Sequence, residues 1–112
     1  MTRRRVVLAP AASHDVSDII EYLLVSAGAD VALATNDRLD ASLESLRSLA
    51  DRGRVVPELR ARGVTTYREM VAPPYRILYR VRQREAWVVA VVDHHRDVDA
   101  LLHARARRDR SR

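Results

Sequence analysis

The sequence predicts an α+β domain: a mainly antiparallel sheet covered on one face by an N-terminal α-helical hairpin. Three observations predict it. Two apolar stripes at spacings of three and four lie between Val16 and Leu49, the pattern of amphipathic helices. Three runs of strand character follow between Thr65 and His94, separated by short turn signals. One short strand, Arg5 to Ala9, precedes the helices and is stopped by Pro10. The order is strand, helix, helix, strand, strand, strand, and Asp97 to Ala106 can add a short terminal helix.

In the first helix Ser13 is the expected N-cap, with Asp15 in the first turn favouring the positive helix end. Val16, Ile19, Ile20, Leu23, Leu24 and Ala27 form its stripe, and Gly28 ends it. Asp30 is the expected cap of the second helix, whose stripe is Ala32, Leu39, Leu43, Leu46 and Leu49. That helix stops at Gly53. Only Gly28 and Ala29 separate the two, so they should form an antiparallel hairpin.

From Arg54 to Gly63 the periodicity is lost and Pro57 intervenes, which reads as a loop. Thr65 to Val71 reads as a strand, ended by Pro73-Pro74. Tyr75 to Arg82 alternates, with Tyr75, Ile77, Tyr79 and Val81 on one face and Arg76, Leu78, Arg80 and Arg82 on the other. Gln83-Arg84-Glu85 is the expected turn. Ala86 to His94 is nearly continuous in apolar residues, so it should be a central strand covered on much of both faces. The sheet face with Arg76, Arg80 and Arg82 is expected to be open or partner-covered. An apolar strand pair that delivers arginines and histidines to one rim of a sheet suits the handling of anions, either phosphates or an acidic partner helix.

Length and composition agree with one domain, expected over residues 1–106, with a basic, disordered tail over 107–112. All 20 basic residues are arginine and the net charge is +5. Codon usage in a GC-rich organism explains the missing lysines without any function. The positive excess favours an acidic partner or a nucleic acid. Absence of cysteine excludes a disulfide framework and a thiolate metal site. The apolar run after Thr2-Arg3-Arg4-Arg5 is too short for a signal peptide, and no stretch approaches a membrane span. A soluble cytoplasmic protein is expected.

The strand-helix-helix-three-strand order resembles the RelE/ParE superfamily of toxins from type II toxin-antitoxin modules. So do Val56-Pro57-Glu58-Leu59, Tyr67-Arg68-Glu69, Pro74-Tyr75-Arg76-Ile77-Leu78-Tyr79 and Val91-Val92-Asp93-His94-His95-Arg96-Asp97. The resemblance covers nearly the whole chain. It implies one of two activities on one scaffold: cutting of messenger RNA in the ribosomal A site, as RelE-like members do, or ParE-like blocking of DNA gyrase. Fold alone does not choose between them.

Arg76 and Arg96 match arginines of the RelE-like set, but the basic positions of the preceding strand carry Tyr67 and Glu69. The C-terminal tyrosine position falls near Leu102, beside His103. A different nuclease set is conceivable, with Glu58 or Glu69 as base, Arg76 as phosphate clamp and His94 or His95 as acid. The long helical hairpin and the His-Arg-Asp segment after the last strand favour the ParE-like reading. The expected site is therefore Arg76, His94, His95 and Arg96, with Glu69 and Tyr67 second. Arg76 has a plainer reading, pairing with a sheet-edge carboxylate such as Glu69. No metal is expected at His94 and His95, since neighbours on an extended strand face opposite sides. No cofactor is expected. Trp87 reads as a packing residue.

The resemblance also implies a cognate antitoxin that wraps an acidic, amphipathic segment across the hairpin and sheet. Val25, Val31 and Leu33, outside the main stripes, are its expected contacts, with Arg80; packing within the domain is the plainer reading. The other partners implied are gyrase, or the ribosome with its message, and operator DNA reached only through the antitoxin. A nontoxic relative acting as a DNA-bound co-repressor is a third reading.

Overall fold

A computed structural model describes residues 3–110. Strand β1 (Arg5–Leu8) leads into helices α1 (Pro10–Ser26) and α2 (Ala29–Leu49), which form the expected hairpin. A 3-10 turn, Ala50–Arg52, follows. Then come β2 (Arg54–Val55), α3 (Pro57–Arg60), β3 (Tyr67–Ala72), β4 (Tyr75–Arg82), β5 (Glu85–Asp93) and α4 (Val98–Arg110). The five strands lie in the order β1-β5-β4-β3-β2. β1 runs parallel to β5, and the other neighbours are antiparallel.

The helix starts differ from the sequence reading. α1 begins at Pro10, not after Ser13: the fixed φ of proline suits the first helical position, where its missing N–H costs nothing. Ala9 is the N-cap residue, and its carbonyl accepts the amides of Ala12 and Ser13. α2 begins at Ala29, with Gly28 as its N-cap residue, so Asp30 sits in the first turn and does not cap by its side chain. Gly28 has φ +96°, a conformation that favours glycine, and this lets the chain reverse between the helices. The stretch from Arg54 to Gly63 is not a plain loop. Pro57 opens α3 as Pro10 opens α1, and Arg54 and Val55 pair with Glu69 and Arg68. α4 continues through residues 107–110, where a disordered tail was expected; Ser111 and Arg112 of that tail lie outside the described residues.

Two apolar cores lie on opposite sides of the sheet. On the hairpin side, Ala12, Leu39, Leu43 and Leu46 pack on Ile77, Tyr79, Ala86, Val88 and Val91. On the other side, Val56 and Leu59 around α3, with Val98 and Leu102 of α4, pack on Leu78, Ala90 and Val92. The second face is thus largely closed by the chain itself, which corrects the expectation of an open surface. The reason is local: α3 was hidden by Pro57, and α4 presents an apolar residue every fourth position.

A β-bulge makes this double coverage work. Leu78 pairs with Ala90, but the adjacent Tyr79 pairs with Val88, so Val89 is an extra residue in β5. Side chains alternate along a strand, and the extra residue switches the faces. Ala86 and Val88 therefore share the hairpin side with Val91, while Ala90 and Val92 face the α3–α4 side.

Gly53 is required by close approach. The buried Tyr79 donates from its hydroxyl to Ala50 O at 2.6 Å, locking the 3-10 turn onto the sheet. A Cβ on Gly53 would lie 1.9 Å from that hydroxyl oxygen. Burial also pushes the Tyr79 phenol above its ordinary range.

Candidate functional site

The expected site residues fall into three groups. Arg76 and Glu69 sit in a buried ion network beneath α3. The Arg76 guanidinium grips Glu58 in two places, Nη1 to Oε2 at 2.7 Å and Nη2 to Oε1 at 2.8 Å. Its Nε donates to Glu69 Oε1 at 3.1 Å, and Nη2 contacts the same oxygen. The other oxygen of Glu69 accepts Arg54 Nε at 2.8 Å and Nη2 at 2.7 Å. The Glu69 side chain is 0% exposed and that of Arg76 is 7% exposed. The hydrogen bonds from Arg76 hold the Glu58 carboxyl below its usual range. In return the bond to Glu58, and after it Glu69, raise the Arg76 guanidinium above its ordinary value, against burial. The plainer reading of Arg76, pairing with Glu69, is the arrangement found, with Glu58 as a further partner.

Tyr67 lies at the other end of the strands. It faces Arg80 across the β3–β4 pair, and the guanidinium carbon of Arg80 sits 5.5 Å from the centre of its ring. Trp87 is next in the row, opposite Arg80 on β5, and Arg82 lies 5.9 Å over the indole. Such contacts suit a cation on an aromatic face. The buried Nε of Arg80 has no hydrogen-bond partner among the described residues. Trp87 is half-buried at this sheet end, as a packing residue would be.

His94, His95 and Arg96 occupy the turn between β5 and α4, and all three are exposed. They lie beside the β3–β4 turn, because the His94 amide donates to Pro74 O at 3.0 Å. Asp93 shapes the segment by accepting the His95 amide on its carboxylate at 2.9 Å. The two imidazoles meet edge to face with centroids 5.4 Å apart. They sit in a turn, not on opposite faces of a strand, which corrects the geometry assumed from sequence. The segment ends where Asp97 Oδ1 accepts the Ala100 amide at the start of α4.

At the tip of the hairpin, Val25 is 91% exposed, Leu33 62% and Val31 46%, joined by Tyr22 and Leu24. Arg80, grouped with these from sequence, is on the far side of the molecule.

Residues 6–98 match the sequence profile of the family described as "ParE toxin of type II toxin-antitoxin system, parDE". The chain belongs to the ParE toxin family. No curated protein matches by sequence. Among solved structures, this ParE-family toxin is similar to a chain of the "Chromosomal ParDE TA system from P. aeruginosa". The identity is 18%, the TM-score is 0.69, and the match covers 81% of this chain and 96% of that one. At that identity the likeness establishes the fold. Helix α4 begins where the family match ends.

Two features of the toxin were missed from sequence. One is a clasp at the edge of β5. Its pairing with β1 stops at Leu8↔Val88, which leaves the upper half of β5 without a strand on that side. Asp15 of α1 and Arg105 of α4 fill the gap. Asp15 Oδ2 accepts the Val91 amide at 2.9 Å, and Arg105 Nη1 donates to Val89 O at 2.7 Å. The two side chains grip each other at 2.8 Å through both carboxylate oxygens. A separation of 90 residues hides such a pair from local inspection.

The other is a division of charge, visible on counting by segment. Residues 10–49, the hairpin, hold seven carboxylates and two arginines, a net charge of −5. The remainder carries +10.

Proposed function

We propose that this ParE-family toxin acts in the cytoplasm by inhibiting DNA gyrase, through the turn His94-His95-Arg96, and that a cognate antitoxin neutralises it by covering the hairpin tip. Operator DNA is reached through the antitoxin. The observation that carries the choice of target is the state of Arg76. Metal-free RNA cleavage needs a free cation at the scissile phosphate and a base within reach of the 2′-hydroxyl. Arg76 is buried and saturated by two carboxylates. Glu58, held ionised by that contact, is a weakened base. Tyr67 lies at the far end of the sheet from the histidine turn. In the nuclease set weighed from sequence, the clamp and both candidate bases are bound to one another, whereas a binding surface needs only the exposed turn.

Exposure of Val25, Val31 and Leu33 supports the antitoxin contact, since apolar groups rimmed by charge mark protein-binding surfaces. The test is supercoiling by purified gyrase titrated with the toxin, alongside messenger integrity in cells after induction. Supercoiling should fall while message stays intact. Substituting His94, His95 and Arg96 together by Ala should relieve inhibition without changing the thermal midpoint. Message cut in the ribosomal A site, with supercoiling unaffected, would overturn the reading.

A further inference from the structure

The hairpin tip combines exposed apolar groups with unpaired negative charge. On the solvent face of α2, Leu33 stands between Asp30 and Asp37, three and four residues away and therefore beside it on the surface. On α1, Tyr22 follows Asp18 by four residues and Val25 follows Glu21 by four. All of these residues are exposed. Among the described residues none of the four carboxylates forms a salt bridge, unlike Asp15 and Glu44 further along the hairpin. Arg38 does not neutralise them. It turns toward the sheet rim and donates to Pro73 O at 3.1 Å.

We infer that the hairpin tip receives a cationic amphipathic segment of a partner protein: an apolar stripe that seats on Val25 and Leu33, flanked by Lys or Arg facing Asp18, Glu21, Asp30 and Asp37. The inference rests on the antitoxin reading for the identity of the partner, and it reverses the sign of charge that the family resemblance implied at this surface. An acidic segment would meet four like charges here, and like-charge juxtaposition works against association. The basic remainder of the chain is where acidic residues of the same partner belong. A second copy of the chain is a poorer occupant. Its basic half against this acidic tip is a head-to-tail contact, which closes only in a ring and otherwise grows without limit.

Two synthetic helical peptides with the same apolar stripe test it, one flanked by Lys and Arg, the other by Glu and Asp. Each is titrated into the full-length toxin at low salt and followed by fluorescence anisotropy. The cationic peptide should bind about tenfold more tightly, the sum of four exposed charge pairs of ordinary size. The advantage should vanish in high salt, and in the variant D18N/E21Q/D30N/D37N. The double variant V25S/L33S, altered only at exposed positions, should weaken both peptides.

Equal or tighter binding of the acidic peptide, no binding of either, or cationic binding untouched by V25S/L33S would overturn the inference. So would self-association of the toxin at low salt that V25S/L33S abolishes, which would assign the tip to a second copy. The antitoxin reading fails separately, if no small protein encoded beside the toxin's gene co-purifies with it, or if the one that does binds V25S/L33S undiminished.

Discussion

Arg76 shows how one residue can carry two opposite readings until its neighbours are known. From sequence, its place in the Tyr-Arg-Ile-Leu-Tyr strand reads as a phosphate clamp, yet here its donors face Glu58 and Glu69. Removing one member of a buried ion group leaves an uncompensated charge, which costs about 3–5 kcal/mol. Arg76→Ala should therefore lower stability by that order in urea unfolding, and a loss below about 1 kcal/mol would mean that the network is not structural. Glu58 adds a pH dependence. Its folded pKa lies below the ordinary value of 4.5. Its contribution to stability is therefore complete above that value and is lost as the pH falls through the lower folded value. Urea midpoints of the native chain and Glu58→Gln should differ at neutral pH and converge in acid. Because the Glu58 side chain is 40% exposed, solvent screens the pair and the difference should be small. A gap that widened below pH 4.5 would contradict the assignment.

Among the elements, the Asp15–Arg105 clasp joins three that the sequence presents far apart: α1, the bulged edge of β5 and α4. An unpaired strand edge exposes amide and carbonyl groups that invite pairing with another chain, and proteins commonly blunt such edges with charged side chains. Asp15→Asn removes the charge but keeps an oxygen acceptor. Asp15→Ala removes both. Hydrogen exchange at the Val91 amide should therefore be faster in Asp15→Ala than in Asp15→Asn, with α4 amides also less protected than in the native chain. Unchanged exchange at Val91 in both would show that the edge is held by other groups. The clasp also marks the limit of what the sequence revealed. Stripes such as Leu39, Leu43 and Leu46 are local periodicity, so the hairpin was legible. Tyr75 to Arg82 and the β5 run were equally plain. Pro57 concealed α3 because proline reads as a breaker until its place at a first helical position is seen. The bulge at Val89 left no mark in an unbroken apolar run. Candidate site residues were legible as types, and His94, His95 and Arg96 do share one exposed turn. Partners of Arg76 and Arg105 were not, because they depend on contacts made across the fold.

For the molecule as a whole, one sheet serves two cores of unequal origin. The hairpin core uses helices of 17 and 21 residues. The opposite core depends on a four-residue helix and on α4, which begins where the family match ends. Deleting α4 by a stop after Asp97 removes Val98, Leu102 and Arg105 together. It bares Leu78, Ala90 and Val92 and opens the clasp, while leaving Leu39, Leu43 and Leu46 on their side of the sheet. Burying one large apolar side chain is worth about 1.5–3 kcal/mol, so losing Val98 and Leu102 with the clasp takes much of the margin of a small domain. The shortened chain should keep its helical far-ultraviolet spectrum in large part, bind a hydrophobic dye and lose thermal cooperativity. The hairpin tip would remain, so a partner seated on Val25 and Leu33 should still bind it and restore part of the lost stability by mass action. A shortened chain that unfolds as cooperatively and at the same temperature as the full one would show that α4 and its clasp contribute nothing to the stability of the toxin.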